Sequence, residues 1–142
     1  MLRAQAATPT DYPALTQIWW DAVTATHDFL TPTDQRTIAT ALPTYFAQVD
    51  LLAWYADEQL IGFSGRQGAE LVMLFIAPSA TRHGYGRQII AQLDQQSPVR
   101  TVDVNEQNHG ARKFYAQCGF QLVSRDAVDG DGRPYPILHL RR

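Results

Sequence analysis

The sequence predicts an α/β (α+β) domain: a mixed, mostly antiparallel central sheet of about seven strands flanked by about four helices. Three observations point to it. In the middle of the chain, Leu51–Tyr55 and Gln59–Ser64 are strand-like runs joined by a turn at Asp57-Glu58, an antiparallel hairpin. Elsewhere apolar residues recur at helical spacing, as in Leu15, Ile18, Trp19 and Val23. Between Ala69 and Val104 a strand, a helix and a second strand follow one another, an order that makes a right-handed crossover and one parallel pair.

Along the chain, Leu2–Ala6 forms the first strand, and Thr8-Pro9-Thr10-Asp11 starts the helix that carries Leu15 to Val23. The same start signal returns at Thr31-Pro32-Thr33-Asp34. It opens a second helix through Ile38, Leu42 and Phe46, which Pro43 bends or breaks. Residues 26–31 therefore connect two helices. After the hairpin, Gly65 to Gly68 turns the chain into a strand at Ala69–Ile76. A helix from about Tyr85 to Gln96 presents Ile89, Ile90 and Leu93. Arg100–Val104 is a strand, Asn108–Cys118 a helix and Phe120–Arg125 a strand. The turn Asp129-Gly130-Asp131-Gly132 leads to a last strand at Tyr135–Leu140.

A length of 142 residues suits one domain, residues 1–142, with a sizeable core. Hydrophobic residues at 45% and charged residues at 18% fit a globular chain, and a net charge of -2 gives no electrostatic reason to expect nucleic acid. The single cysteine, Cys118, excludes an intrachain disulfide and suits a reducing compartment; beside Gly119 at a helix end it reads as a packed thiol. Met1-Leu2-Arg3-Ala4-Gln5 lacks a signal-peptide core, and the longest apolar stretch, Leu71–Pro78, is far short of a membrane span. The expected location is the cytoplasm, with no membrane partner.

Chemistry concentrates after the strand Leu71–Ile76, where Ala77-Pro78 leads into Arg82-His83-Gly84-Tyr85-Gly86-Arg87 and a helix. Gly84 and Gly86 let the backbone take φ > 0 or approach a ligand closely, and the first N–H groups of the helix point the same way, a cradle for phosphate. Further on, Asn108-His109-Gly110-Ala111-Arg112-Lys113-Phe114-Tyr115-Ala116-Gln117-Cys118-Gly119-Phe120 reads as a short helix capped by Asn108 and stopped by Gly119.

These two motifs, in this order and at this separation, resemble those of the GCN5-related N-acetyltransferases (the GNAT family). Ala25–Leu30, Val104–Asn108 and Gly132–Leu138 are similar to the corresponding segments of the YjaB-type small bacterial members. The resemblance implies a splayed parallel strand pair, Ala69–Ile76 and Arg100–Val104, with acetyl-CoA in the gap. It also implies transfer of the acetyl group to a primary amine, on a small molecule or a peptide, by direct attack in a ternary complex. Thr81 and Arg82 depart from the family's usual loop, which leaves the detailed loop contacts open. A homodimer is compatible with the sequence.

The resemblance assigns cofactor contacts to Leu74, Phe75 and Ile76, to Arg82, His83, Gly84, Tyr85, Gly86 and Arg87, and to Asn108, Ala111 and Tyr115. Arg82 and Arg87 read equally well as solvated charges, and Asn108 as a helix cap. Tyr115 is the candidate general acid, because a phenol of pKa about 10 can donate to a leaving thiolate; its alternative is packing of the helix. Candidates for the base are His27, Asp28, Glu70, Asp103, Glu106 and His139, or a held water, with His27 chosen for its imidazole and for a loop where the family places acceptor contacts. The histidines show no metal-binding spacing, so no metal is expected. The runner-up function is a non-catalytic acyl-CoA-binding sensor. A nucleotide-binding loop is disfavoured because the Gly-Lys-Ser/Thr of a P-loop is missing.

Overall fold

The computed structural model describes residues 2–142. A seven-stranded sheet runs in the order β1-β2-β3-β4-β5-β7-β6. Its strands are β1 (Leu2–Ala6), β2 (Asp50–Ala56), β3 (Gln59–Gln67), β4 (Glu70–Ile76), β5 (Thr101–Asn105), β6 (Gln121–Asp126) and β7 (Ile137–Arg141). The helices are α1 (Tyr12–Thr26), α2 (Pro32–Phe46), α3 (Tyr85–Gln96) and α4 (His109–Gln117). Every neighbouring pair is antiparallel except β4 and β5, so the expected architecture and its parallel pair are both present. Most strand ends differ from the sequence reading by a residue or two, but β3 runs three residues past Ser64 to Gln67, so Gly65 to Gln67 pair with β4 and only Gly68 and Ala69 are left to make the turn. Tyr135 and Pro136 fall outside β7, since a proline has no N–H for the ladder.

Alternation along the strands sends side chains to two separate cores. Leu51, Ala53 and Phe63 pack beneath Leu15, Ile18, Trp19 and Val23 of α1 and Leu42 and Phe46 of α2. On the other face Trp54, Ile61, Leu71, Val102, Val104, Leu138 and Leu140 pack beneath Ile89, Ile90 and Leu93 of α3 and Tyr115 of α4. The Trp54 indole is fully buried and donates its Nε1–H to Ser64 Oγ at 2.8 Å, so no polar atom is stranded there.

Thr31 caps α2 as its start signal suggested, accepting from the Asp34 N–H at 3.1 Å. The helix does not break at Pro43 but continues to Phe46. A proline inside a helix costs about 3 kcal/mol, whereas burying Leu42 and Phe46 contributes about 1.5–3 kcal/mol each. Packing of the last turn therefore outweighs the lost hydrogen bond.

One irregularity shapes the centre of the sheet. Between the pairs Gly65–Met73 and Arg66–Leu71 the β3–β4 register skips Val72, a bulge that bends β4. Parallel pairing with β5 stops at the same place: only Glu70–Thr101 and Leu71–Val102 are joined. Beyond Leu71 the strands diverge, because β5 goes on pairing with β7 through Asn105 while β4 follows β3 to Ile76.

Arg66, next to the bulge, is 7% exposed and has no carboxylate partner among the described residues. Its guanidinium instead donates to the carbonyls of Gly68 at 2.9 Å, Leu93 at 3.1 Å, Ser97 at 2.9 Å and Pro98 at 3.3 Å. Leu93 and Ser97 belong to the C-terminal end of α3, where a cation also complements the helix dipole. Arg66→Met keeps the stem but strands these acceptors. It should lower unfolding free energy by roughly 2–3 kcal/mol, read as a fall in the urea midpoint at unchanged m.

Candidate active site

The loop before α3 folds as an anion cradle. Arg82 and Gly84 both take left-handed conformations, with φ 66 and φ 74. Gly84 caps α3 without a side chain, and the first helical bond runs from the Gln88 N–H to the Gly84 carbonyl. The N–H groups of Tyr85, Gly86 and Arg87 therefore lack intrahelical acceptors and face outward at the positive end of the helix. Thr81 has a local role at its unexpected position: its hydroxyl donates to the Pro78 carbonyl at 2.9 Å.

The two glycines differ: Gly84 has the positive φ, while Gly86 does not and lines the cavity from within the helix. A Cβ on Gly84 would meet nothing within 4 Å, so its constraint is the positive φ alone. Gly86 is helical, and a Cβ there would lie 2.9 Å from Phe114 Cζ. Its smallness lets α3 and α4 close together.

A cavity of about 400 Å³ runs from this cradle to the end of α1. Leu74, Phe75 and Ile76 line it from the part of β4 that pairs with β3 but not with β5, and Arg82, Gly84, Tyr85, Gly86 and Arg87 from the cradle. Asn108, Ala111, Phe114 and Tyr115 line it from α4, and Ala22, Thr26 and His27 from α1 and its end. Of the cofactor candidates His83 alone is not in the lining; its ring packs edge-on to Tyr85 with centroids 5.3 Å apart. The arginines also separate. Arg87 donates to Gln117 Oε1 at 3.2 Å, while Arg82 has no hydrogen bond among the described residues.

Tyr115 is held by the way α4 ends. Gly119, at φ 94, donates its N–H to the Ala116 carbonyl, and the Phe120 N–H bonds the Tyr115 carbonyl at 3.0 Å. This is a Schellman stop, whose hydrophobic contact falls between Phe120 and Tyr115, ring centroids 5.7 Å apart. Phe114 flanks the other side at 5.1 Å. The Tyr115 hydroxyl has no hydrogen-bond partner among the described residues, and burial pushes its pKa well above that of a free phenol. At the opposite end of α4, Asn108 Oδ1 accepts from the Ala111 N–H at 3.1 Å, so its cap role is present on the rim of the same cavity.

His27 carries a defined tautomer. The Thr26 hydroxyl donates its one proton to the Ala22 carbonyl at 2.7 Å and lies 2.7 Å from His27 Nδ1. With that proton committed, Thr26 Oγ1 can only accept, so Nδ1 carries the hydrogen and Nε2 keeps its lone pair. Burial lowers the His27 pKa, against a smaller opposing pull from Asp28. A neutral imidazole with a free Nε2 is the protonation state that a base requires. Thr26 was not singled out in the sequence; a hydroxyl one residue before a histidine was the available signal.

The other candidate bases lie outside the cavity lining. His139 is removed from that list by its own contacts. Nδ1 lies 2.6 Å from Asp103 Oδ1 and Nε2 lies 2.6 Å from Asp126 Oδ2. Only an imidazolium can donate to both carboxylates, and its pKa is raised, by Asp126 first and Asp103 second. Glu106 is occupied by Arg125 at 2.6 Å. Among the described residues no cluster of His, Cys, Asp or Glu has the arrangement of a metal site, and no helix is long and apolar enough to cross a membrane.

The family model for the GNAT acetyltransferase domain matches residues 27–134. The chain is 35% identical over 129 residues to the peptidyl-lysine N-acetyltransferase YjaB of Escherichia coli K12, covering 89% of this chain and 86% of that protein. It is 30% identical to the peptidyl-lysine N-acetyltransferase YiaC of the same organism, over 80% of each. Among solved structures, apo YjaB of Escherichia coli superposes with a TM-score of 0.88 at 29% identity, covering 99% of this chain and 97% of that one. The fold of an N-acetyltransferase from Thermoplasma acidophilum bound to coenzyme A matches at a TM-score of 0.66 and 16% identity, over 100% of this chain and 99% of that one.

Two measurements check this geometry. Gly86→Val should destabilise the protein by pressing on Phe114, and adding Phe114→Ala should recover part of the loss; a double-mutant cycle should read a coupling of roughly 1 kcal/mol. His139 is protonated more readily in the folded state than in the unfolded state. Its stabilising contribution is therefore full below about pH 6.5 and lost as pH rises through the raised folded value. The gap in melting temperature between wild type and His139→Gln should shrink across that window.

Proposed function

The chain belongs to the GNAT acetyltransferase family, and from that premise we propose that it transfers the acetyl group of acetyl-CoA to the amine of a peptidyl lysine while both substrates are bound. The acceptor class follows the names of YjaB and YiaC, with which it shares 35% and 30% identity. The observation that carries the reading is one cavity joining a free helix N-terminus, an unpaired strand edge, the His27 imidazole and the Tyr115 hydroxyl.

These features suit coenzyme A part by part. The N–H groups opening α3 would hold its diphosphate, with Arg82 as the uncommitted cation. The edge of β4 past Leu71 offers main-chain groups that β5 does not use, a match for the amide-bearing arm. Acetyl-CoA supplies a thioester carbonyl open to attack by an amine and a thiol that leaves.

The protein supplies proton handling. A lysine ammonium must lose a proton before its nitrogen can attack, and His27 would accept it at Nε2. Tyr115 would donate from its hydroxyl to the negative charge that grows on the departing sulfur. Since burial raises the phenol above about 10, and a thiol lies near 8.5, Tyr115 is the weaker acid. Its contribution is therefore hydrogen-bond donation as the bond breaks more than full proton transfer beforehand. A covalent route through the one cysteine has little support. Cys118 is outside the cavity lining, and burial pushes its thiol pKa up.

The test is release of CoA thiol from acetyl-CoA with a panel of lysine peptides, amino acids and small amines, with CoA binding measured by calorimetry. Release confined to lysine peptides supports the proposal; release with small amines alone replaces the acceptor class, and tight binding with no turnover favours a sensor. Tyr115→Phe should lower turnover roughly 10²-fold while leaving CoA affinity intact. Unchanged turnover on a chemistry-limited peptide would remove Tyr115 from its role.

A further inference from the structure

His27 sits at the end of α1, in a short connection to α2 that spans residues 27–31, and its orientation depends on how that connection is held. Within the connection one bond closes a turn, from the Leu30 N–H to the His27 carbonyl at 3.1 Å. Gln35 of α2 also donates to Thr24 Oγ1 of α1 at 2.9 Å, and a further restraint comes from Tyr135, about a hundred residues further along the chain. Its hydroxyl donates to Asp34 Oδ2 and accepts from the Thr31 N–H at 3.3 Å, gripping the cap of α2 where the connection ends. The same carboxylate is flanked by Arg133, Nε to Oδ1 3.7 Å.

A second line of contact runs through aromatic rings. Phe29 lies between His27 and Tyr135, with centroids 5.0 Å from the imidazole and 6.0 Å from the phenol. Tyr135 itself is 6% exposed, so its ring is a fixed wall. We propose that Tyr135 is a positioning residue for His27: its hydroxyl pins the α1–α2 connection, and its ring backs Phe29 against the imidazole so that Nε2 is presented to the cavity. The proposal rests on His27 being the base.

Removing the hydroxyl while keeping the ring should loosen the connection and let water reach the imidazole. The desolvation that lowers the His27 pKa then weakens, and its titration moves toward the 6.5 of a free side chain. The experiment is an NMR titration of His27 in wild type and Tyr135→Phe, with acetyl transfer measured against pH. In Tyr135→Phe the His27 pKa should rise, the acid limb of the kcat profile should move up with it, and kcat should fall roughly tenfold to a hundredfold, with acetyl-CoA affinity within twofold. An unchanged His27 titration in the folded variant would overturn the proposal. If His27→Ala retains wild-type turnover, the base assignment fails instead, and the NMR titration still decides whether Tyr135 holds the imidazole. Should Tyr135→Phe not fold, Asp34→Ala removes the acceptor of the same hydrogen bond and carries the same expectation and refutation.

Discussion

Among the described residues, parallel pairing of Glu70 with Thr101 and of Leu71 with Val102 is the only direct strand pairing between the two halves of the sheet, β1-β2-β3-β4 and β5-β7-β6. The extra residue at Val72 turns β4 away just as that pairing ends. A sheet so nearly parted needs other fasteners, and α3 provides them. Arg66 of β3 grips the carbonyls at its C-terminal end, and Arg142 reaches Asp94 of the same helix at 2.5 Å while donating to the Val99 carbonyl. Each half of the sheet is thus tied to one end of one helix. The opposite end of that helix opens the cradle, and the gap between the halves becomes the cavity.

Helix termini organise much of the site. At the start of α3 no side chain caps the free N–H groups, which leaves them for a ligand. At the end of α4 the Schellman stop satisfies the carbonyls and seats Tyr115 against Phe120. At the end of α1, Thr26 bonds back to its own helix and thereby sets the tautomer of His27. Local backbone chemistry in each case fixes one part of the cavity wall.

That locality explains what could be read from the sequence. Gly84, the Asn108 cap and the Gly119-Phe120 stop are short-range signals, and they lie where the pattern of residues placed them. The seven strands and the parallel pair followed from periodicity and from the handedness of a crossover. What was hidden depends on partners distant in the chain. The crowding at Gly86 comes from Phe114, and Arg66, placed by the sequence reading in a turn, finds its acceptors only when the end of α3 arrives. His139 looked available as a base until register brought Asp103 and Asp126 to its two nitrogens. Tyr115 and His27 could be named early from the family resemblance together with the chemistry of a phenol and an imidazole, but the burial that raises the one and lowers the other, and the Thr26 contact to His27, could not.

The lining of the cavity includes Ala22 and Thr26 of α1, on one side of the sheet, and Phe114 and Tyr115 of α4, on the other. Its walls therefore come from both faces of a layer that in most sheets is sealed by hydrogen bonds. Were the cavity open at both faces, it would have two mouths. A donor held from the α3 side and an acceptor arriving from the α1 side would not compete for one opening, so neither would have to leave before the other could come or go. The order of binding would then be set by how each arrival reshapes the walls, and not by steric exclusion at a shared door.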